Sequence, residues 1–259
     1  MARICITGSS NGIGFLAAQS LLAEGHEVIL HARSAARADE LRAKLPAARH
    51  IVTGDLSLIA QMRSVAEQVN RVGRCDAVIH NAGVYGNSRQ QAAATEDGLP
   101  PVFAVNTLAP YVLTALIERP QRLIYLSSSM HLGASADLSD LGWQRREWSA
   151  SAAYSESKLW LTVLAMAVAR LWPQVHSNAV DPGWVPTNMG GPSAPDDLTE
   201  GYQTQTWLAV SRDEGAGVSG KYFYHRQQQS PDERTLDESK QTALLAHCQS
   251  LSGIDLARS

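Results

Sequence analysis

The chain has 259 residues, is 44% hydrophobic and 18% charged, and carries a net charge of −3, so it has enough apolar material for a folded core and is not expected to be globally disordered. No run of lysine and arginine residues could follow a nucleic-acid backbone, which excludes nucleic acid as an expected partner. The three cysteines are far apart and the eight histidines lack metal-ligand spacing, which predicts a cytoplasmic protein with reduced thiols and no metal.

Short apolar runs alternate with segments of helical periodicity along nearly the whole chain. Strand-like runs occupy residues 3–7, 27–31, 50–53, 77–80, 122–126, 175–180 and 220–224, and helical segments include 13–24, 37–45, 58–72 and 152–171. This alternation predicts an α/β fold with a doubly wound, seven-stranded parallel sheet and helices on both faces, in three layers. We expect one domain over residues 1–259, an exposed polar loop at 226–234, and no membrane span, since the apolar stretch at 159–172 is too short.

The first predicted strand runs into the sequence Thr-Gly-Ser-Ser-Asn-Gly-Ile-Gly at residues 7–14, and a helix follows. Without side chains, two of the glycines let the backbone turn sharply and approach a diphosphate, and the third lets the helix pack closely on the strand. The free amides of the helix start would hold the negative charge. The motif predicts a dinucleotide site of the Rossmann type; the alternative is a glycine-rich turn without a ligand. The assigned residues are Gly8, Ser10, Asn11, Gly12, Ile13 and Gly14.

The end of the second strand indicates which nicotinamide cofactor is bound. An acidic residue there would accept hydrogen bonds from the adenosine ribose and favour NAD. In this chain no carboxylate follows the end of the strand until Asp39, whereas Arg33 and Ser34 are suited to a 2′-phosphate. We therefore predict a preference for NADP(H), with NAD(H) as a possible cofactor. Alternatively, Arg33 is solvated and stacks on adenine without preference for the phosphate.

Further motifs follow in chain order. They are Asp55-Leu56, Asn81-Ala82-Gly83, Asn106 within Val-Asn-Thr, Ser127-Ser128, Tyr154-x-x-x-Lys158, and Pro182-Gly183-x-x-x-Thr187. With the glycine motif, this series resembles the short-chain dehydrogenase/reductase family over essentially the whole length. The resemblance implies an NAD(P)-dependent oxidoreductase that interconverts a carbonyl and an alcohol by hydride transfer.

The resemblance also implies roles for individual residues. It assigns Tyr154 as the acid–base group, Ser128 to polarising the substrate oxygen, Lys158 to the nicotinamide ribose, and Asn106 to a water in a proton relay. The remaining implied contacts to the cofactor lie at the adenine (Asp55, Leu56), beneath the dinucleotide (Asn81, Ala82, Gly83) and over the nicotinamide (Pro182, Gly183, Val185, Thr187).

The spacing of Tyr154 and Lys158 agrees with this chemistry. Residues four apart on a helix share one face. A phenol of pKa about 10 is a poor base at neutral pH, and a neighbouring ammonium would lower that pKa. The alternative is an ordinary surface pair on an amphipathic helix. Among three consecutive serines, the match to the family selects Ser128, with Ser127 and Ser129 left as neighbours.

Between Ser128 and Tyr154 lie 25 residues, a longer interval than is usual in the family. This insertion resembles the retinol-dehydrogenase-like subgroup and suggests a small apolar aldehyde, ketone or alcohol as substrate. Its residues Trp143 and Trp148 either contact the substrate or pack internally. The nearby His131 is expected to be exposed polar surface.

Residues 184–206 are expected to include a lid over the substrate. We expect a homodimer or homotetramer formed through the helix at 159–172. Two other functions compete with the enzyme. The first is a catalytically silent regulator that senses NADP(H), although such proteins usually lose the tyrosine or the lysine. The second is an epimerase or dehydratase acting on nucleotide sugars, for which the C-terminal region is short.

Overall fold

The computed structural model describes residues 1–86 and 94–256. These residues form one eight-stranded sheet in the order β3-β2-β1-β4-β5-β6-β7-β8, and its first seven strands pair in parallel. The strands are β1 Arg3–Ile6, β2 Glu27–Ala32, β3 His50–Thr53, β4 Ala77–His80, β5 Arg122–Leu126, β6 His176–Asp181, β7 Lys221–Tyr224 and β8 Gln227–Gln229.

Helices connect the parallel strands and cover both faces of the sheet. They are α1 Gly12–Ala23, α2 Ala35–Lys44, α3 Ile59–Val72, α4 Pro101–Phe103, α5 Ala109–Leu116, α6 Ala150–Leu171, α7 Glu200–Val210 and α8 Glu238–Ser252, with the π-helical turn Ala104–Leu108 between α4 and α5. One buried cluster packs α3, α5, α6 and α8 against one face, and a second packs α1, α2 and α7 against the other. The predicted three-layer, doubly wound α/β fold is confirmed.

The prediction of seven strands was wrong by one, because β8 pairs antiparallel with β7 at the edge of the sheet. β8 lies within the tract at 226–234 that was expected to be a loop. It consists of three glutamines, which lack the β-branched or aromatic signal of a strand. Its two-residue turn is His225-Arg226, with φ of 47° and 64°, in place of the Asn-Gly pair that usually marks such hairpins.

Helix α6 does not offer the interface that the sequence suggested. Its apolar residues are already buried within the single chain; Leu159, Leu164 and Val168 have no exposed surface. The C-terminal helix α8 packs along α6 and covers it. The expected interface through residues 159–172 was therefore wrong, because the chain's own C-terminus occupies that face. The oligomeric state itself stays a prediction.

The segment at 184–206 is only partly a loop. It passes through turns until α7 begins at Glu200, so the last part of the expected lid is helical. Across the described residues, no helix is long and apolar enough to cross a membrane.

Candidate active site

The glycine-rich turn lies between β1 and α1 and is held by the segment after β4. The Asn81 side chain donates hydrogen bonds to the main-chain oxygens of Thr7 and Gly8, at 2.9 and 3.1 Å. Gly8 has φ of 64°, and a Cβ atom there would lie 2.8 Å from the Cα of Ala82. A Cβ atom on Gly14 would collide with the Asn81 amide. Only glycine fits at these two positions, which brings the glycine motif and the predicted Asn81-Ala82-Gly83 segment together.

A cavity of about 310 Å³ opens beside the start of α1. It is lined on one side by Asn11 and Gly12 and on the other by Pro186, Thr187 and Asn188. Asn11 caps α1 without a side-chain hydrogen bond, so the first amides of this 12-residue helix keep their capacity to bind an anion. Asn11 and Gly12 of the predicted diphosphate residues thus line one space with Thr187 of the nicotinamide segment, and the donors present fit a dinucleotide.

His31 contacts this turn, and the sequence analysis missed it. Its Nδ1 atom accepts a hydrogen bond from the amide of Gly8 at 3.0 Å, and its Nε2 atom donates to the oxygen of Gly54 at 2.9 Å. Burial lowers the pKa of His31, which agrees with the neutral ring that these two bonds require. His31 therefore joins the glycine turn to the loop after β3. Its signal in the sequence was a histidine inside an apolar strand.

Arg33 and Ser34 lie at the end of β2, where the adenosine side of a dinucleotide is expected. Arg33 is exposed, and Ser34 caps α2 by accepting a hydrogen bond from the amide of Arg37 at 3.4 Å. The first carboxylate after Arg33 in the sequence is that of Asp39, which pairs with Arg42 at 2.8 Å. In the loop after β3, Asp55 accepts hydrogen bonds from the amide and hydroxyl of Ser57, at 2.9 and 2.8 Å, and its neighbour Leu56 is buried.

Tyr154 and Lys158 lie on one face of α6 and are both more than nine-tenths buried. The Nζ atom of Lys158 lies 5.5 Å from the centroid of the Tyr154 ring and donates to the oxygen of Leu126 at 2.6 Å. The Ser128 side chain lies beside the Tyr154 phenol and acts to lower its pKa. By contrast, Ser127 points inward to Thr162 at 2.7 Å, and Ser129 is exposed. Of the three serines, Ser128 is the one placed beside the phenol.

Asn106 lies in the π-helical turn, wholly buried, and connects this turn to α6. Its amide nitrogen donates to the hydroxyl of Ser157 at 2.9 Å, and that hydroxyl donates to the oxygen of Tyr154 at 2.7 Å. Its amide oxygen accepts from the amide of Val84 at 2.8 Å. A Cβ atom on Gly83 would lie 3.5 Å from both Asn106 Oδ1 and Lys158 Nζ, so these two groups lie close to each other.

The pKa values differ from the expectation. Burial raises the pKa of Tyr154 to about 12, against a smaller lowering by the Ser128 side chain. Burial also lowers the pKa of Lys158 to about 8, while the negative charge of Asp181 acts in the opposite direction. The prediction that Lys158 lowers the pKa of the Tyr154 phenol was therefore wrong for this structure. The reason is that desolvation disfavours the charged form of each group and is the largest effect on both pKa values.

Asp181 is a buried carboxylate that the sequence analysis did not single out. It ends β6, is 5% exposed, and accepts a hydrogen bond from the amide of Gly183 at 2.9 Å. This bond shapes the predicted Pro182-Gly183 turn, after which Val185 is again buried. The carboxylate acts electrostatically on Lys158, so it belongs to the same site.

His131 is buried, and the expectation of exposed polar surface was wrong. Its Nδ1 atom lies 2.7 Å from the oxygen of Ser128, and its Nε2 atom accepts from the amide of Asp232 at 3.0 Å. Its ring packs 4.8 Å from that of Tyr222. Both ring nitrogens are satisfied because the segment after β8, which the sequence did not place, returns to this site.

Apolar and aromatic side chains surround the phenol of Tyr154. The Tyr85 ring lies 4.8 Å from the Tyr154 ring, and Trp143 and Trp148 belong to the cluster that packs on it. No group of three or more metal-ligating side chains occurs within the described part of the chain. The arrangement can exchange a proton at a buried phenol beside an anion-binding turn.

Comparison with known proteins identifies the family. The sequence profile of the short chain dehydrogenases matches residues 2–198. The chain belongs to this family. The short-chain dehydrogenase chry4 of Gibberella zeae is 39% identical over 261 residues, covering 99% of both chains. Human retinol dehydrogenase 13 is 31% identical, covering 97% of this chain and 85% of the relative.

Solved structures show the same fold. NADPH-bound carbonyl reductase from chicken fatty liver superposes with a TM-score of 0.66 at 22% identity, covering 89% of this chain and 99% of the other. The predicted resemblance to short-chain dehydrogenases is confirmed, and the protein is an oxidoreductase of this family, whose members bind NAD(P).

Proposed function

We propose that this short-chain dehydrogenase interconverts an apolar aldehyde or ketone and its alcohol with NADP(H), using Tyr154 as the acid–base group. The observation that carries the proposal is the buried phenol of Tyr154 with the Ser128 side chain beside it and Lys158 on the same helix face, 5.5 Å from the ring centroid. When bound, the cofactor supplies or accepts the hydride.

Each side chain of the site has a distinct part in the proposed reaction. In the direction of reduction, the Tyr154 hydroxyl donates its proton to the substrate oxygen while the Ser128 hydroxyl donates a hydrogen bond to that oxygen. The ammonium of Lys158 stabilises the phenolate that forms. Asn106 fixes the N-terminal half of α6 through Ser157 and has its amide beside Lys158, where it can hold a water of a proton relay. The reverse steps serve alcohol oxidation.

NADP(H) is the cofactor that the end of β2 supports. The exposed Arg33 precedes the first turn of α2, and no carboxylate occupies the end of the strand. A guanidinium there suits a 2′-phosphate, and the NADPH found in the chicken carbonyl reductase agrees with this assignment. Asp55 and Leu56 would contact the adenine. The Gly183 turn, with Val185 and Thr187, would cover the nicotinamide.

The substrate class follows from the surroundings of Tyr154. Val84, Met130 and Trp148 pack against the buried cluster that contains Tyr154 and contribute apolar surface there. A relative named retinol dehydrogenase supports an apolar substrate as well. Residues 184–199, ahead of α7, would act as the lid.

Replacement of Tyr154 by phenylalanine tests the proposal. We expect Tyr154→Phe to bind NADPH as the parent does in a fluorescence titration, and to lose at least a thousandfold of NADPH oxidation with a panel of aldehydes and ketones. Tyr202→Phe, in α7 on the other face of the sheet, is the control and should keep full activity. Full turnover by Tyr154→Phe would refute the role of the phenol. A parent enzyme that binds NADPH but turns over no carbonyl would favour the sensing regulator.

A further inference from the structure

The long segment between β5 and α6 is anchored to the helix that carries Tyr154 by one arginine. Two nitrogens of the Arg146 guanidinium donate to the two carboxylate oxygens of Glu156, each at 2.6 Å. Glu156 is 4% exposed and lies in α6 midway between Tyr154 and Lys158. Arg146 also donates to the main-chain oxygen of Asp140 at 3.2 Å. A bidentate pair with a buried carboxylate fixes the direction of the guanidinium as well as its position.

The same guanidinium covers the ring of Trp143, with its central carbon 3.8 Å from the ring centroid. Trp143 has φ of 53°, a left-handed conformation that is uncommon for a large side chain and persists only where surrounding contacts impose it. The ring of Trp143 in turn packs edge-to-face on Trp148, with centroids 5.2 Å apart and planes at 68°. Glu156, Arg146, Trp143 and Trp148 therefore form a continuous chain of contacts.

This chain of contacts ends at the buried cluster that contains Tyr154. Trp143 and Trp148 pack against the buried cluster of Val102, Ala153 and Tyr154. A Cβ atom on Gly86 would lie 3.5 Å from Cζ2 of Trp148, so the indole also adjoins the segment that carries Tyr85. Tyr85 thus packs on the Tyr154 ring, and Trp148 packs against the cluster to which Tyr154 belongs.

We propose that Arg146 is a positioning residue that holds Trp143 and Trp148 as an aromatic wall of the substrate pocket, and that this wall selects carbonyl compounds with an aromatic ring over open-chain ones. The inference rests on the proposed function, because it assigns the substrate class of the same site. The Arg146 guanidinium is engaged by Glu156, Asp140 and Trp143, so it is not a binding group for a charged substrate. Aromatic rings favour edge-to-face or offset contacts with one another, which an alkyl chain does not provide.

The test compares an aromatic aldehyde, 2-naphthaldehyde, with an open-chain one, hexanal, through the ratio of their kcat/KM values. We expect the parent to prefer 2-naphthaldehyde, and Trp148→Leu to reduce that ratio about tenfold. Arg146→Gln should reduce the ratio by a similar factor, mainly through KM, with the affinity for NADPH unchanged. Arg146→Lys keeps the charge but loses the bidentate geometry, so it should restore the ratio only in part.

Two further variants separate positioning from general damage. The double variant with Arg146→Gln and Glu156→Gln removes the buried charge of Glu156 together with its partner and should fold better than Arg146→Gln alone while keeping the lowered ratio. Arg71→Gln removes an exposed arginine that pairs with Glu67 on α3, and should leave the ratio unchanged. If Trp148→Leu and Arg146→Gln turn over both aldehydes with the parental ratio, the inference is wrong.

A binding measurement distinguishes failure of the inference from failure of the proposed function. Calorimetric titration of the enzyme with 2-naphthalenemethanol in the presence of NADP⁺ requires no turnover. Weaker binding of this alcohol to Trp148→Leu and Arg146→Gln than to Arg71→Gln would support the proposed aromatic wall of the substrate pocket, even if no aldehyde were reduced. Equal binding to all three variants would overturn it.

Discussion

Lys158 donates a hydrogen bond from its Nζ atom to the main-chain oxygen of Leu126 over 2.6 Å. Leu126 is the last residue of β5, and the three serines follow it directly. The bond therefore ties the middle of α6 to the strand end that places Ser128. Ser127 adds a second tie, since its hydroxyl bonds Thr162 on the same helix. The proposed acid–base pair is thus held by the sheet as well as by its helix.

The environment of Lys158 predicts how carbonyl reduction depends on pH. Burial lowers the pKa of Lys158 to about 8 and raises the pKa of Tyr154 to about 12. As the pH rises, the Lys158 ammonium therefore loses its proton first, while the Tyr154 phenol stays protonated. We expect kcat/KM for reduction to be constant below pH 7 and to fall as the pH rises through about 8, because a neutral Lys158 stabilises the phenolate less.

The variant Lys158→Arg identifies the titrating group. Its guanidinium stays charged at all accessible pH values, so the alkaline fall of kcat/KM should move above pH 9 even if the overall rate is lower. Initial rates with saturating NADPH across pH 6–10 measure this. An alkaline fall at the parental pH in Lys158→Arg would assign it to another group.

We expect the affinity for the cofactor to depend on His31, which lies outside the recognised motifs. His31→Phe removes the acceptor for the Gly8 amide and the donor to the Gly54 oxygen, leaving both groups unpaired. We expect the glycine turn to lose its fixed geometry and the dissociation constant of NADPH to rise about tenfold or more. Fluorescence titration of NADPH measures this constant.

His50 supplies the matched control, because it is a histidine on the neighbouring strand β3 whose ring points to Glu27 at 3.2 Å. His50→Phe should bind NADPH as the parent does. If His31→Phe and His50→Phe bind NADPH equally well, the hydrogen bond to Gly8 has no part in shaping the turn.

The sequence predicted features whose determinants lie close together along the chain. The glycine turn is specified by residues 7–14, and the shared face of Tyr154 and Lys158 by a spacing of four on a helix. The seven parallel strands carried their own apolar signal. In these cases local geometry alone selects the structure.

The missed features depend on partners that are remote in sequence. His131 is buried because Asp232, 101 residues later, donates to it. Arg146 reads as a surface charge until the fold places Glu156 against it. The packing of α8 on α6 likewise depends on tertiary structure, since an apolar helix can lie either at a subunit interface or in the interior of one chain. Pattern and spacing do not contain these pairings.

We expect Arg33 to discriminate between NADPH and NADH. Arg33→Ala removes a charge that would pair with the 2′-phosphate, so the dissociation constant of NADPH should rise about tenfold while that of NADH stays constant. Arg37→Ala, which removes an exposed guanidinium paired with Glu40 at 2.7 Å, is the control. An equal loss of affinity for both cofactors in Arg33→Ala would instead indicate stacking on the adenine.

We expect His80 to contribute to the dependence of the free energy of unfolding on pH. Its ring is buried at the end of β4, stacks on Tyr125 at 4.8 Å, and has Nε2 3.1 Å from the hydroxyl of Thr114. Burial lowers the pKa of His80 to about 3 from an ordinary value of 6.5. Between these two pH values the unfolded chain binds a proton that the folded chain does not. His80 therefore makes the free energy of unfolding fall as the pH falls from about 6.5 towards 3.

The variant His80→Gln removes this titration and keeps a polar group near Thr114. Between pH 6 and 4, the slope of the free energy of unfolding against pH should decrease by about 1.4 kcal/mol per pH unit, the value for one proton. Thr114→Val supplies the contrast, because it removes the hydroxyl but keeps the buried imidazole. It should lower stability at every pH and leave the slope as in the parent. Urea unfolding followed by circular dichroism at several pH values measures both variants, and a parental slope in His80→Gln would show that His80 is not the group responsible.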